Sequence, residues 1–226
     1  MKKPTNKRFD MKKFLSLFLC LFCLTVPATA AEVADAESFA KKLADDIMTN
    51  VVRPKIPLLE KQEKFRRVFV EAINVKTNAR FTLGRFAKGA APEKMQAYTD
   101  ALADNIVYTW TGRFNDYAGD ALSTDAISFR SARKSESGDF YVTSKIKLPD
   151  AEKEIELVWR ISDKKGTLKL TDLIVEGVSM LMSYRNEYSA ILQQNGGDID
   201  ALTEMLKQKN EALKNRKTAD ASLQNG

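Results

Sequence analysis

The apolar residues of this chain change period after Leu122, and that change decides which folds are open to it. Before that point they recur every three to four residues, the spacing of one helix face; after it they alternate, the spacing of one sheet face. Ile127 and Phe129 alternate with Ser128 and Arg130. Phe140, Val142, Ser144, Ile146 and Leu148 then face one way, and Tyr141, Thr143, Lys145 and Lys147 the other. Ile155, Leu157, Trp159 and Ile161 oppose Glu154, Glu156 and Arg160, and Leu168 and Leu170 open a fourth run. The turns fall at Ser137-Gly138-Asp139, Pro149-Asp150 and Lys164-Lys165-Gly166. Four strands joined by such short turns make an antiparallel meander with one apolar face, and the helices on either side of it in sequence must cover that face. The fold class is therefore α+β. The apolar parity slips between Leu170 and Leu173, which predicts a bulge there or a strand covered on both sides.

Where the alternation ends, the stretch 171–192 joins sheet to helix. Leu173 and Val175 close the strand, Gly177 permits a sharp turn, and Ser179 is placed to cap the helix that follows. Val178, Leu181, Met182, Arg185, Tyr188 and Leu192 step along one face of that helix. A guanidinium on an apolar stripe pairs with a carboxylate or snorkels to water; a ligand phosphate is the alternative partner for Arg185. Earlier helices are predicted over 35–52, capped by Asp35; over 58–73, with Phe65, Val68, Phe69 and Ala72 inward and Glu60, Lys61, Glu63, Lys64, Arg66 and Arg67 on a solvated face; over 75–88, with Gly84 inside; and over 92–119, with Tyr98, Leu102, Ile106, Trp110 and Phe114 in line. Gly84 suggests close approach of another helix or of a ligand. After a stop at Asn195-Gly196-Gly197, Asp198 caps a last helix that buries Ile199, Leu202 and Leu206.

The first thirty residues read as an address. Six basic residues precede the apolar run 14–26, and Ala28-Thr29-Ala30 is a small-x-small cleavage site, the pattern of a secretory signal peptide. Met11 is an alternative start. The domain organisation expected is a signal peptide over 1–30, one domain over 31–213 and a polar, disordered tail over 214–226. Of 36 basic and 30 acidic residues, six and one lie in the signal segment, so the remainder carries 30 against 29 and a net charge of +1. The basic character of the whole chain is thus weak support for a nucleic-acid partner, and none is expected. Both cysteines, Cys20 and Cys23, lie in the signal segment, and there is no histidine. Thiol catalysis, His-assisted serine catalysis and the usual zinc sites are excluded, and no cofactor is expected.

Asp172-x-x-x-Glu176-Gly177-Val178-Ser179, followed by Tyr184-Arg185-x-Glu187-Tyr188, resembles the MlaC or toluene-tolerance family of periplasmic phospholipid-binding proteins. Ala79-Arg80-Phe81-Thr82-Leu83-Gly84-Arg85, the helix start Ala91-Pro92-Glu93 and the span from Tyr108 to Tyr117 support the likeness, which covers residues 35–210. Departures are Met180, Tyr188, Asn74 and Phe86-Ala87. The resemblance implies helices packed on a curved four-stranded antiparallel sheet, a nuclear-transport-factor-like cone with an apolar pocket. It implies a periplasmic, non-enzymatic, monomeric carrier that shuttles phospholipid between an outer-membrane lipoprotein complex and an inner-membrane ABC transporter with an MCE-domain ring, maintaining outer-membrane lipid asymmetry. A hopanoid or sterol-like ligand is the alternative cargo.

Hiding two acyl chains of roughly thirty methylenes in total from water is worth on the order of 20 kcal/mol, which requires an enclosed apolar cavity. The one-sided faces nominate Phe81, Ile106, Trp110, Phe129, Val142, Ile146, Trp159, Leu170, Val175 and Leu181 as lipid-binding residues. Each also fits an ordinary filled core. The elements beside Gly84 and Gly177 are the expected hinges for release. Two rivals stand beside the carrier. One is a cone-fold isomerase or dehydratase using Asp172 or Glu176 as a general base. The other is an interaction module with a filled core and an exposed apolar patch.

Overall fold

A computed structural model of the chain describes residues 28–116, 126–148 and 153–223. Most of the expected signal peptide, Tyr117, Gly119 and the Pro149-Asp150 turn lie outside these. The order of elements is α1 (Ala28–Ile47), a π-helical turn (Met48–Val52), α2 (Leu58–Ala72), α3 (Val75–Leu83), a 3₁₀ turn (Gly84–Ala87), α4 (Pro92–Asp116), β1 (Ile127–Lys134), β2 (Phe140–Ile146), β3 (Ile155–Asp163), β4 (Leu168–Val175), β5 (Val178–Ser179), α5 (Met180–Gln194) and α6 (Ile199–Leu223).

The strands form one antiparallel sheet in the order β1-β2-β3-β4-β5. Alternation places Phe140, Val142 and Ser144 of β2 beside Ile161, Trp159 and Leu157 of β3 on the covered face. The expected bulge is present: Arg160 pairs with Asp172 and Ile161 with Leu170, so Thr171 is the extra residue of β4. A second bulge, at Arg130, interrupts β1. Bulges bend a strand and tighten its twist, so two of them curl the sheet towards the helices. The sheet has a fifth strand in addition to the four of the meander. Glu176 and Gly177, at φ 48° and 78°, form a two-residue turn that pairs Val175 with Val178. A strand of two residues leaves no alternation to detect.

Two large hydrophobic cores result among the described residues, beside a small cluster of Met48, Val52 and Ala126. One lies among helices, where Phe65, Phe69, Leu83, Tyr98, Leu102, Val107, Tyr188, Leu192, Leu202 and Leu206 are buried. The other lies between α1 and the sheet, where Ala36 and Ala40 sit with Phe140, Val142, Trp159 and Ile161. Helix α6 packs along α4, where Asn210 donates to the Ala101 carbonyl (2.9 Å) and accepts from Asn105 (2.9 Å).

Several local expectations change. Helix α1 runs from Ala28, so Asp35 is an interior residue and not its cap. The helix expected over 75–88 stops at Leu83, and Gly84, at φ 56°, turns the chain into the 3₁₀ segment. Lys61, assigned to a solvated face, is 1% exposed, because the π-turn folds over it and its Nζ reaches the Val52 carbonyl at 3.4 Å. Of the residues placed on the inner face of α5, Val178 and Met182 are exposed while Leu181 turns inward, and Tyr184, not placed on that face, turns inward with it. Helix α6 extends to Leu223, and alanine, lysine and leucine in its last turns are good helix formers even without an apolar stripe.

Candidate functional site

The two cores do not meet everywhere. Between them is a cavity of about 590 Å³, a size that takes a sizeable organic ligand. The sheet contributes Ile127, Ile146, Ile155, Leu157, Trp159, Leu170, Leu173 and Val175. Helix α1 and the π-turn add Leu43, Ala44, Ile47, Met48 and Val52, and α2 adds Phe65, Phe69 and Ala72. Helix α4 adds Leu102, Ile106, Trp110 and Phe114, and α5 adds Met180, Leu181 and Tyr184. Apolar side chains from four helices, a helical turn and the sheet thus converge on space that none of them fills.

Seven of the ten residues singled out by periodicity border this space: Ile106, Trp110, Ile146, Trp159, Leu170, Val175 and Leu181. Phe81, Phe129 and Val142 do not. Val142 is on the correct face of β2 but lies where α1 covers the sheet, in the filled core. Phe129 stacks on Trp159 (ring centroids 6.3 Å) on the α1 side, with the Lys41 ammonium 5.8 Å from its ring. Phe81 lies beneath the Arg185 guanidinium, 4.6 Å from its ring centroid. The same guanidinium comes within 3.3 Å of where a Cβ on Gly84 would stand. The close approach expected at Gly84 is therefore made by a side chain of α5. Among the described residues Arg185 has no carboxylate partner at ion-pair distance; an aromatic face takes that place.

The lining residues that sequence reasoning missed come mainly from α1, α2 and the π-turn. Their stripes were recognised as apolar, but nothing in a stripe says which neighbour it faces. Ser144 is the polar member of the covered face of β2, and its hydroxyl accepts from the Trp159 indole N–H at 2.8 Å. That bond fixes a large cavity-wall side chain in place.

The polar groups around the cavity are few. Asn78 donates to the Thr171 carbonyl (3.2 Å), and the Thr171 hydroxyl donates to the Arg160 carbonyl (3.0 Å) across the bulge. The Thr82 hydroxyl bonds the Tyr98 hydroxyl (2.7 Å). Asp172 accepts from the Leu181 N–H (3.0 Å) and from the Ser179 hydroxyl, while Ser179 itself accepts from the Met182 N–H (3.0 Å). Asp172 is thus the anchor of the α5 N-terminus, with both oxygens engaged. Glu176 is exposed and accepts from the Glu156 N–H. Neither carboxylate stands unpaired in the cavity, as a general base there would. Burial raises the Tyr184 phenol above its ordinary range, and the nearby positive charge of Arg113 opposes that shift. Among the described residues no group of acidic, histidine or cysteine side chains could hold a metal ion, and no helix is long and apolar enough to cross a membrane.

A curled antiparallel sheet, helices closing over it and an unfilled apolar chamber between them define a class of small-domain proteins built around a hydrophobic cavity. The family model described as MlaC protein matches residues 40–208, and the chain belongs to that family. The fold is similar to that of a phospholipid-binding protein from Ralstonia solanacearum solved in complex with a phospholipid. The TM-score is 0.68 at 19% identity, covering 79% of this chain and 98% of the other.

Proposed function

We propose that this protein is a periplasmic phospholipid carrier that works by binding and hand-off, without catalysing a reaction. The observation that carries this reading is the chamber itself: a cavity of about 590 Å³ walled almost entirely by apolar side chains, in a fold shared with a phospholipid-binding protein. A folded chain gains by filling such space with its own side chains, because a void forfeits dispersion contacts on every wall. Leaving it open makes sense when a ligand fills it. Acyl chains suit these walls, and the engaged state of Asp172 and Glu176 removes the obvious general bases of an enzyme.

The reading extends to the pathway that family membership implies. Residues 1–30 direct export and are cleaved, and the domain then carries lipid as a monomer between an outer-membrane lipoprotein complex and an inner-membrane ABC transporter with an MCE-domain ring. The test is native mass spectrometry of residues 31–226, purified from a bacterial periplasm without detergent, with any adduct extracted and identified. A co-purifying phospholipid is the expected result. A hopanoid would keep the carrier and change the cargo. A bare protein that also takes up no lipid from vesicles would overturn the reading.

A further inference from the structure

We propose that Arg113 binds the phosphate of the cargo at the rim of the cavity, so that the protein selects lipids with an anionic phosphate over neutral lipids of the same tails. This rests on the carrier reading and deepens it. Two charged side chains border the cavity among the described residues, Asp172 and Arg113. Asp172 has both oxygens engaged at the start of α5. Arg113 is exposed in the last turn of α4, its guanidinium 5.5 Å from the Trp110 ring centroid, with no carboxylate at ion-pair distance among the described residues. Stacking on the indole holds the planar group against the cavity wall while leaving N–H donors for an acceptor. A guanidinium presents those donors in a fork that matches two phosphate oxygens.

The order of side chains on α4 supports the same assignment. Leu102, Ile106, Trp110 and Arg113 face the cavity in succession, grading from buried aliphatic to amphipathic to charged. Leu102 to Arg113 spans about 16 Å of helix axis, close to half the roughly 30 Å hydrocarbon thickness of a bilayer. One tail laid along this helix therefore reaches from the aliphatic end to the cation. A positive charge also suits a helix C-terminus electrostatically. That alone asks only for a cation in the last turn, not for one stacked on a cavity-wall indole.

The test uses delipidated residues 31–226 and vesicles carrying either phosphatidylglycerol or diacylglycerol with identical tails. Wild type is expected to take up phosphatidylglycerol more tightly than diacylglycerol. Arg113→Gln is expected to lose about tenfold in affinity for phosphatidylglycerol and nothing for diacylglycerol, with Arg113→Lys between wild type and Gln. Excess inorganic phosphate should not displace the lipid. Equal losses for both lipids in Arg113→Gln would mark a wall residue, and no loss for either an idle one; each overturns the assignment. So would Arg113-dependent binding of inorganic phosphate that leaves lipid uptake unchanged, which would mark a free-phosphate site. Uptake of neither lipid by wild type would overturn the carrier reading itself.

Discussion

Tyr98 and Tyr188 lie side by side in the helical core, both fully buried with ring centroids 6.3 Å apart, yet their hydroxyls differ. Tyr98 bonds Thr82, whereas Tyr188 Oη has no protein partner. A buried hydroxyl without a bond carries its desolvation cost uncompensated, so removing it should help. Tyr188→Phe is expected to stabilise the protein by about 1 kcal/mol and Tyr98→Phe to destabilise it by about 1 kcal/mol, read from urea midpoints at constant m. Burial raises both phenols well above their ordinary value. Groups raised in the folded state contribute stability that is present below the unfolded value and lost as pH climbs past it. Stability should therefore hold to about pH 9 and fall above about pH 10, by roughly 1.4 kcal/mol per pH unit for each buried tyrosine. Either Phe variant should make that decline shallower, and an unchanged slope in both would contradict the assignment. Gly84 offers a third test at this scale. Its φ of 56° is a backbone conformation that L side chains rarely adopt, and a methyl group there would press on the Arg185 guanidinium at 3.3 Å. Gly84→Ala should cost about 1–3 kcal/mol, measured by denaturant unfolding.

Helix α5 borders the cavity through Met180, Leu181 and Tyr184, and its start is held by Ser179 and Asp172. Ser179→Ala removes the cap and a donor to Asp172, and should lower stability by about 1 kcal/mol. Asp172→Ala also strands the half-buried Leu181 N–H and should cost about 1–2 kcal/mol. Both variants should loosen the cavity wall, seen as faster amide exchange at residues 180–184 than in the sheet. The Ser179 cap was legible from a polar residue after a glycine turn, and the bulge at Thr171 from a slip in parity. The partner of that cap was not: Asp172 lies seven residues before Ser179 along the chain, and only β5 folding back on β4 brings them together. The outward rotation of Val178 and Met182 has the same origin. A helix stripe drawn from Val178 assumes helical backbone there, but Val178 is a strand residue paired with Val175, so Met182, counted four residues on from it, falls off the face that Leu181, Tyr188 and Leu192 keep. Lys61 was misplaced because its neighbours alternate in charge as a solvated face does, while the π-turn that buries it belongs to a different element.

For the whole molecule, the question periodicity leaves open is whether the apolar faces meet. Alternation and helical stripes say which side of each element avoids water, and for β2 and β3 they say it correctly. They cannot distinguish Val142, buried under α1, from Ile146, two turns of the pleat away on the same face of the same strand and bordering empty space. That distinction depends on how far along the sheet α1 lies, a property of the assembly and not of either strand. It also makes the hollow directly testable by filling it. Ala44 is buried on α1 and borders the cavity, so a large side chain there projects into the chamber without leaving a charge or an unpaired polar group behind. Ala44→Phe is expected to leave the lipid-free protein as stable as wild type or more so, because the ring supplies wall contacts that the empty state lacks. The same change should cut phospholipid uptake from vesicles at least tenfold, and with it the rise in melting temperature that bound lipid confers by mass action. Thermal melts with and without phospholipid vesicles read both quantities. A folded Ala44→Phe protein that still takes up lipid at the wild-type ratio would show that the chains lie somewhere other than this cavity.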